Sequence, residues 1–204
     1  MGSIFYLMGK SSSGKDTIYQ KLMEDSELSL RTLVMYTTRP IREGETEGKE
    51  YHFVTADEME RMEQEGRLIE KRTYPTMYGD WHYFTVDDGS VELDSWDYLL
   101  IGTPESFVRI RDHFGAGKVI PLMLDTDDGD RLQRALNRER RQKEPKYSEM
   151  CRRFLADEED FSPAKKKAAG IEREFRNDDL RVCLADMKEY IRSCRAGAGS
   201  KGTR

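Results

Sequence analysis

A short apolar run, Ile4-Phe5-Tyr6-Leu7-Met8, leads directly into Gly9-Lys10-Ser11-Ser12-Ser13-Gly14-Lys15. The second segment fits the pattern G-x-x-x-x-G-K, and a helix-like stretch from Asp16 to Glu24 follows, with Ile18 and Leu22 inward. This order constrains the fold more than any other feature of the chain. A short continuous apolar run suits a strand buried on both faces of a parallel sheet. The glycines let the chain turn tightly, so that backbone N–H groups curl around an anion at the start of a helix, whose dipole also favours negative charge. Lys15 then stands where it can neutralise phosphate charge. Gly9, Ser11, Ser12, Ser13, Gly14 and Lys15 are therefore expected to form a phosphate loop. The rival reading, a flexible Ser/Gly turn, does not account for the strand before it and the helix after it.

One position departs from the pattern. Ser or Thr normally follows the lysine and holds Mg²⁺. Here Asp16 stands there, with Thr17 next. Asp16 either ligates Mg²⁺, directly or through water, or is simply an acid favoured at a helix N-terminus. Asp16 and Thr17 are the candidate metal residues.

The rest of the chain alternates strand-like and helix-like segments. Thr32 to Tyr36 predicts a second strand, and Thr37 to Gly48, polar and interrupted by Pro40, a loop. Lys49 to Val54 alternates like an exposed antiparallel strand. Ala56 to Glu65 reads as an acidic helix stopped at Gly66, and Leu68 to Trp81 as strand and turn. Tyr98 to Ile101 and Val119 to Leu124 read as buried strands. Asp128 to Arg141 and Tyr147 to Glu159 read as strongly charged helices, and Leu180 to Cys194 as a closing amphipathic helix. Strands alternating with helices imply an α/β fold with a parallel sheet. The expected organisation is one domain over residues 1–195. Its core is 1–36 and 88–195, and a mainly antiparallel lobe is inserted at 37–87. Charged helices at about 127–160 form a lid-like unit, and a Gly-rich tail at 196–204 is expected to be disordered.

Composition excludes several classes. A net charge of -5 over 204 residues argues against a nucleic-acid binder working by bulk attraction. Cys151, Cys183 and Cys194 lack metal-ligand spacing and cannot all pair, as expected in a reducing compartment. No run approaches the roughly 20 apolar residues of a membrane helix, and no basic leader precedes an apolar stretch. The expectation is a cytoplasmic protein acting on small molecules, with neither nucleic acid nor membrane as partner.

The most informative segment is Tyr36-Thr37-Thr38-Arg39-Pro40-Ile41-Arg42-Glu43-Gly44-Glu45-Thr46-Glu47-Gly48-Lys49-Glu50-Tyr51-His52-Phe53. Arg39 and Arg42 can converge on one phosphate, since a guanidinium fork matches phosphate oxygens, and Tyr51 can add a third donor. Here the chain resembles the guanylate kinase family, whose pattern T-T-R-x-x-R-x-G-E-x-x-G-x-x-Y-x-F is met at every fixed position. A merely solvated basic loop would not be expected to match it. The resemblance implies that Arg39, Arg42 and Tyr51 grip the phosphate of GMP. Gly66-Arg67-Leu68-Ile69-Glu70 resembles the family's strand whose carboxylate reads guanine, and Tyr78-Gly79 its Tyr-Gly pair, whose tyrosine also touches that phosphate. Independently, the Glu70 carboxylate can accept from guanine N1–H and the 2-amino group together, although alone it would pass for a solvated strand carboxylate. Near guanine O6 the family usually carries small hydroxyl residues at two places, which here are Met35 and Asp80. Methionine donates no hydrogen bond and an ionised aspartate only accepts. Asp80 would suit an exocyclic amino group, as on adenine, while Glu70 favours guanine. Arg39, Arg42, Tyr51, Glu70, Tyr78 and Asp80 are the candidate GMP-binding residues.

Arg134, Arg138, Arg140, Arg141, Arg152 and Arg153 lie on the two charged helices. Arg134-x-x-x-Arg138 resembles the family's lid helix and Arg152-Arg153-Phe154 its Lys-Arg-Leu. In such kinases lid arginines close over the triphosphate and stabilise charge on the transferring group; the rival reading is a salt-bridged, solvated helix pair. Phe175-Arg176-Asn177-Asp178-Asp179-Leu180 resembles the closing Asn-Asp-Asp-Leu that borders the adenine of ATP, though Asn177 would equally serve as a helix cap. The resemblance thus implies Lys15, Arg138 and Arg153 as catalytic residues, and Arg134 and Asn177 beside the phosphate loop, Asp16 and Thr17 as ATP-binding residues. It departs at Tyr98-Leu99-Leu100-Ile101-Gly102-Thr103, where the family usually has Asp-Ile-Asp; Glu105 and Asp97 are the nearest acids. The fold implied is an α/β P-loop kinase with a parallel-sheet core, an inserted, mainly antiparallel acceptor-binding lobe and a helical lid. The activity implied is transfer from ATP to GMP with Mg²⁺. The rivals are a P-loop kinase with another phosphorylated acceptor and a non-catalytic interaction module, the latter disfavoured by the intact phosphate loop.

Overall fold

The computed structural model describes residues 2–42, 44–76 and 79–199. Strand β1 (Ile4–Gly9) is buried along its whole length. It pairs in parallel with β6 (Tyr98–Gly102) on one side and β7 (Val119–Asp125) on the other, and β7 pairs in parallel with β8 (Glu174–Arg176). The order β6-β1-β7-β8 makes β1 a central strand.

Side chains of successive strand residues point to opposite faces. Phe5 and Leu7 accordingly join one core with Ile18 and Leu22 of α1 (Lys15–Met23) and Met187 and Ile191 of α7 (Leu180–Gly199). Ile4, Tyr6 and Met8 join the other with Phe107 and Ile110 of α3 (Pro104–Phe114) and Ala169 beyond α6 (Pro163–Ala168). A sheet covered on both faces needs apolar residues at every position, which explains the uninterrupted run from Ile4 to Met8.

The second sheet belongs to the inserted lobe and has the order β3-β2-β5-β4. It comprises β2 (Tyr36–Thr37), β3 (His52–Phe53), β4 (Leu68–Thr76) and β5 (Gly79–Val86). β5 is antiparallel to both neighbours, whereas β2 and β3 are parallel. Helix α2 (Ala56–Gln64) starts at a capping box between Thr55 and Glu58 and packs Met59 against Phe84 and Val86. Two charged helices, α4 (Asp128–Arg140) and α5 (Tyr147–Asp160), complete the described structure. No helix among the described residues is long and apolar enough to cross a membrane.

Three local expectations are corrected. The strand expected at Thr32 to Tyr36 shrinks to Tyr36 and Thr37, because the chain here leaves the core sheet, where Arg31 bridges Tyr98, and crosses to the lobe. Only two residues of Lys49 to Val54 form a strand, and it runs parallel, not antiparallel, to β2. The loop between them is long enough for the crossover that a parallel pair needs. Finally, α7 continues to Gly199, so residues 196–199 of the expected tail are helical. Residues 200–204 lie outside the described residues.

Because Leu7 is fully buried in the centre of the sheet, Leu7→Ala should lower unfolding free energy by about 2–5 kcal/mol. Urea unfolding followed by tryptophan fluorescence measures this, and a loss well below that range would contradict the central placement of β1.

Candidate active site

At the end of β1 the chain turns through Lys10–Gly14 into α1. The turn is held by Ser13 N–H donating to Lys10 O at 3.2 Å and by left-handed Ser12 (φ 62) and Gly14 (φ 96). A Cβ on Gly9 would lie 2.9 Å from Ser13 Oγ and 3.0 Å from Leu124 O, so only glycine fits there. One on Gly14 would lie 2.5 Å from Asn177 Nδ2. Asn177 donates from that nitrogen to Ser13 O at 2.7 Å, and Thr126 Oγ1 donates to the same carbonyl at 3.1 Å. The loop is therefore fastened from behind. Asn177 does not cap α7; Asp179 does, accepting from the N–H groups of Arg181 and Val182. Ser12 Oγ and Ser13 Oγ are buried without hydrogen-bond partners. Such a cradle of hydroxyls and backbone amides at a helix start fits a phosphate.

The loop opens into a cleft of about 670 Å³ that unites three parts of the chain. Lys15 and Asp16 line it from the start of α1, Met35 from the segment that leads into the lobe, Tyr51 and Arg72 from the lobe, and Arg152 and Arg153 from α5. Lys15 Nζ donates to Lys10 O at 3.3 Å, and burial lowers its pKa. Asp16 and Thr17 are exposed at the start of α1. Among the described residues no three His, Cys, Asp or Glu side chains gather to hold a metal. The Asp16 carboxylate beside the Thr17 hydroxyl at the start of α1 fits Mg²⁺ carried on a nucleotide, which takes one or two carboxylates plus phosphate oxygens and water. The acids near β6 do not contribute. Asp97 pairs with Arg195 at 2.7 Å and accepts from Ser3 N–H, while Glu105 is exposed on α3 and does not line the cleft.

In the lobe, Arg39 is 3% exposed, and its fork meets Glu45 through two hydrogen bonds of 2.9 and 2.8 Å. Tyr51 and Phe53 flank its guanidinium at 5.6 and 5.5 Å. Glu45 also accepts from Arg42 N–H at 2.8 Å, and the Arg39 pairing holds its carboxyl below the usual range. Arg42 itself is exposed. Burial raises the Tyr51 hydroxyl pKa. Glu70 is buried, accepts from Thr85 Oγ1 at 2.9 Å and lies 3.3 Å from Arg72 Nε. It lines an adjoining cavity of about 260 Å³ that shares Arg72 and Thr103 with the cleft. Tyr78 lies outside the described residues. Asp80 is exposed near the end of the β4–β5 hairpin, opposite Pro75, and does not line the cleft.

On the charged helices, Arg152 and Arg153 both pair with Glu149, at 2.8 and 3.1 Å, and these bonds push its carboxyl down to about 2. Arg134 and Arg138 do not face this cleft; with Asn137 and Arg141 they line a separate groove of about 550 Å³. Arg134 reaches Asn177 O at 3.5 Å.

Sequence reasoning missed the residue that ties these helices to the loop. Arg131 is 1% exposed, donates from Nε to Ser11 O at 3.0 Å, and pairs with Asp128, Asp157 and Glu158. Its guanidinium lies 4.7 Å from the Phe154 ring. Asp157 in turn accepts from Ser11 N–H at 2.7 Å, so a carboxylate oxygen sits on a loop amide as a phosphate oxygen would. The only signal in the sequence was helical spacing: Arg131 lies one turn before Arg134 and three residues after Asp128. Arg72 was missed too, although two residues along a strand from Glu70 is the same face.

Residues 2–85 match the family model for guanylate kinase. The guanylate kinase of Neisseria meningitidis serogroup A is 28% identical over 209 residues, covering 95% of this chain and 89% of the relative. That of Thiobacillus denitrificans is 27% identical over 198 residues, covering 97% and 88%. That of Novosphingobium aromaticivorans is 42% identical over a shorter stretch of 80 residues, covering 39% and 34%. Among solved structures, the crystal structure of guanylate kinase from Anaplasma phagocytophilum matches with a TM-score of 0.64 at 19% identity, covering 94% of this chain and 85% of that one.

The Glu149 cluster makes a pH prediction. Its folded pKa, about 2, lies below the ordinary 4.5. The pairing is therefore complete above the ordinary value and is lost as pH falls from there through about 2. Carboxyl NMR titration should show this depressed value in the wild type and a return towards the ordinary one in Arg152→Ala/Arg153→Ala. An ordinary titration in the wild type would mean that the two arginines do not hold Glu149.

Proposed function

We propose that this chain, a member of the guanylate kinase family, transfers the γ-phosphoryl group of ATP to the phosphate of GMP, giving ADP and GDP. The observation that carries the proposal is a single cleft in which a phosphate loop, an acceptor lobe and lid arginines meet. Gly9 and Ser11 to Lys15 cradle the triphosphate of ATP, with Lys15 on its β- and γ-phosphates. Arg134 and Asn177 belong to the ATP side. Arg39, Arg42, Tyr51 and Tyr78 hold the phosphate of GMP, and Glu70 reads its base. Asp80, exposed and outside the cleft lining, is the weakest member of this set.

An oxygen of the acceptor phosphate forms a bond to the γ-phosphorus while the bond to the bridging β–γ oxygen breaks, and ADP leaves with that electron pair. No covalent enzyme intermediate is needed, so catalysis consists of positioning and charge neutralisation. Arg153, in the cleft, and Arg138, on the neighbouring groove, close over the transferring group as residues 127–160 act as lid. Asp16 and Thr17 would hold Mg²⁺, which neutralises charge on the β- and γ-phosphates when bound. A phosphate entering the loop displaces Asp157 from Ser11 N–H. Closure excludes water, which would otherwise be phosphorylated in place of GMP.

Residues 1–195 act as one domain in this scheme, with 37–87 as the acceptor lobe. Its partners are small-molecule nucleotides. Free Cys151, Cys183 and Cys194 support a reducing, cytoplasmic setting.

A coupled ADP-release assay with GMP, dGMP, AMP, CMP and UMP tests the activity. GMP is the expected acceptor; GMP inert while another acceptor turns over would leave only the kinase class. Lys15→Ala should abolish transfer without changing the circular dichroism spectrum, and turnover within tenfold of wild type would refute the loop assignment. Arg39→Ala and Arg42→Ala should each cost about 1.5–3 kcal/mol of acceptor binding, a rise in KM of roughly ten- to a hundredfold. ATP affinity should stay level; its loss would place these arginines on the other nucleotide.

A further inference from the structure

The base site has an unsolved donor problem. Guanine offers donors at N1–H and the 2-amino group, and acceptors at O6 and N7. Glu70 answers the donors. Met35 and the exposed Asp80 supply no donor for the acceptors.

Arg72 supplies one. It follows Glu70 by two positions on β4 and shares its face of the strand. Its Nε lies 3.3 Å from Glu70 Oε2, paired by charge but without a well-aligned hydrogen bond. Its Nη2 reaches Met35 Sδ at 3.7 Å. A thioether is a weak acceptor, so this donor is poorly used. Met35 and Arg72 both line the cleft. Burial works against the guanidinium charge, but the neighbouring Glu70 carboxylate, together with the Tyr6 and Tyr74 hydroxyls, outweighs it and Arg72 stays charged.

We propose that Arg72 is a specificity-determining residue of the acceptor site, donating to guanine O6 and N7 while Glu70 accepts from N1–H and the 2-amino group. The inference rests on GMP as acceptor and adds to it the group that reads O6. A carboxylate beside a guanidinium matches the donor-then-acceptor order of guanine's edge. Adenine offers an amino donor where guanine offers O6, and no N1–H, so it meets Arg72 donor to donor and leaves Glu70 without a partner. The arginine fork on O6 and N7 is the commonest specific contact to guanine. The missing hydroxyl at Met35 is thereby replaced by a side chain from β4, which lies beyond β5 from β2 in the lobe sheet.

The test compares GMP with 6-thio-GMP, which keeps N1–H and the 2-amino group but replaces O6 with sulfur, and with IMP, which keeps O6 but lacks the 2-amino group. Wild type should prefer GMP to 6-thio-GMP by roughly ten- to a hundredfold in kcat/KM. Arg72→Met should collapse that preference, mainly through the KM for GMP, while the GMP-to-IMP ratio, which reports on Glu70, stays near its wild-type value. Arg72→Lys keeps the charge beside Glu70 without the fork and decides the matter if Arg72→Met is unstable: its preference should fall at least about threefold. An unchanged GMP-to-6-thio-GMP ratio in the folded variants would overturn the role of Arg72 while leaving the activity standing. So would an equal loss with all three acceptors that lysine restores, because Arg72 would then only steady Glu70 by charge. A wild type that turns over AMP, CMP or UMP but not GMP would overturn both.

Discussion

The turn from β1 into α1 governs the rest of the molecule. A central strand in a sheet covered on both faces has nowhere to end except at the sheet's edge, and the chain reverses there through Lys10–Gly14. Buried backbone groups left by such a turn need partners. They come from far along the chain: Asn177 and Thr126 on Ser13 O, Arg131 on Ser11 O and Asp157 on Ser11 N–H. The loop is therefore a product of β7, β8, α4 and α5 as much as of its own seven residues. Its glycines matter for the same reason, because Asn177 and Leu124 occupy the space where their side chains would lie.

A common electrostatic device recurs around the cleft. Arg39 is gripped by Glu45, Arg72 lies beside Glu70, Arg152 and Arg153 share Glu149, and the Ser11 amide is met by Asp157. Each of these groups already faces a carboxylate of the protein. Internal carboxylates keep guanidinium forks oriented and avoid the large cost of burying an unpaired charge. They also set a threshold, since an incoming anion must share or displace a carboxylate. Arg39 is the clearest case: its side chain is almost inaccessible and both arms of its fork are occupied. The exposed Arg42 is free of that restraint in its position, though its backbone N–H helps anchor the same Glu45.

Patterns confined to neighbouring residues were legible without coordinates. The apolar run at Ile4 to Met8 announced a doubly covered strand, and the glycine spacing announced the loop. The charged stretches announced α4 and α5 to within a residue or so. Elements defined by their neighbours were not legible. Thr32 to Tyr36 has strand-like residues but crosses between two sheets, so it has no neighbour along most of its length. Lys49 to Val54 alternates correctly, yet alternation carries no information on whether a strand runs parallel or antiparallel. β8 is a strand only because three residues around Phe175 lie beside β7.

By itself the sequence determined the α/β class, the phosphate loop and the side chains available to a nucleotide, because each depends on spacing within a few residues. Only the tertiary structure decided how those side chains are used. It placed Lys15, Tyr51, Arg72 and Arg153 on one cleft and put Arg134 and Arg138 on another. It left Asp80 outside and assigned the helix cap to Asp179 instead of Asn177. It also brought Arg131 to Ser11 and Arg72 to Met35, pairs separated by 120 and 37 residues. The reason is physical: hydrogen bonds and ion pairs act over a few ångströms, and which distant residues come within that range is settled by how the sheets and helices pack.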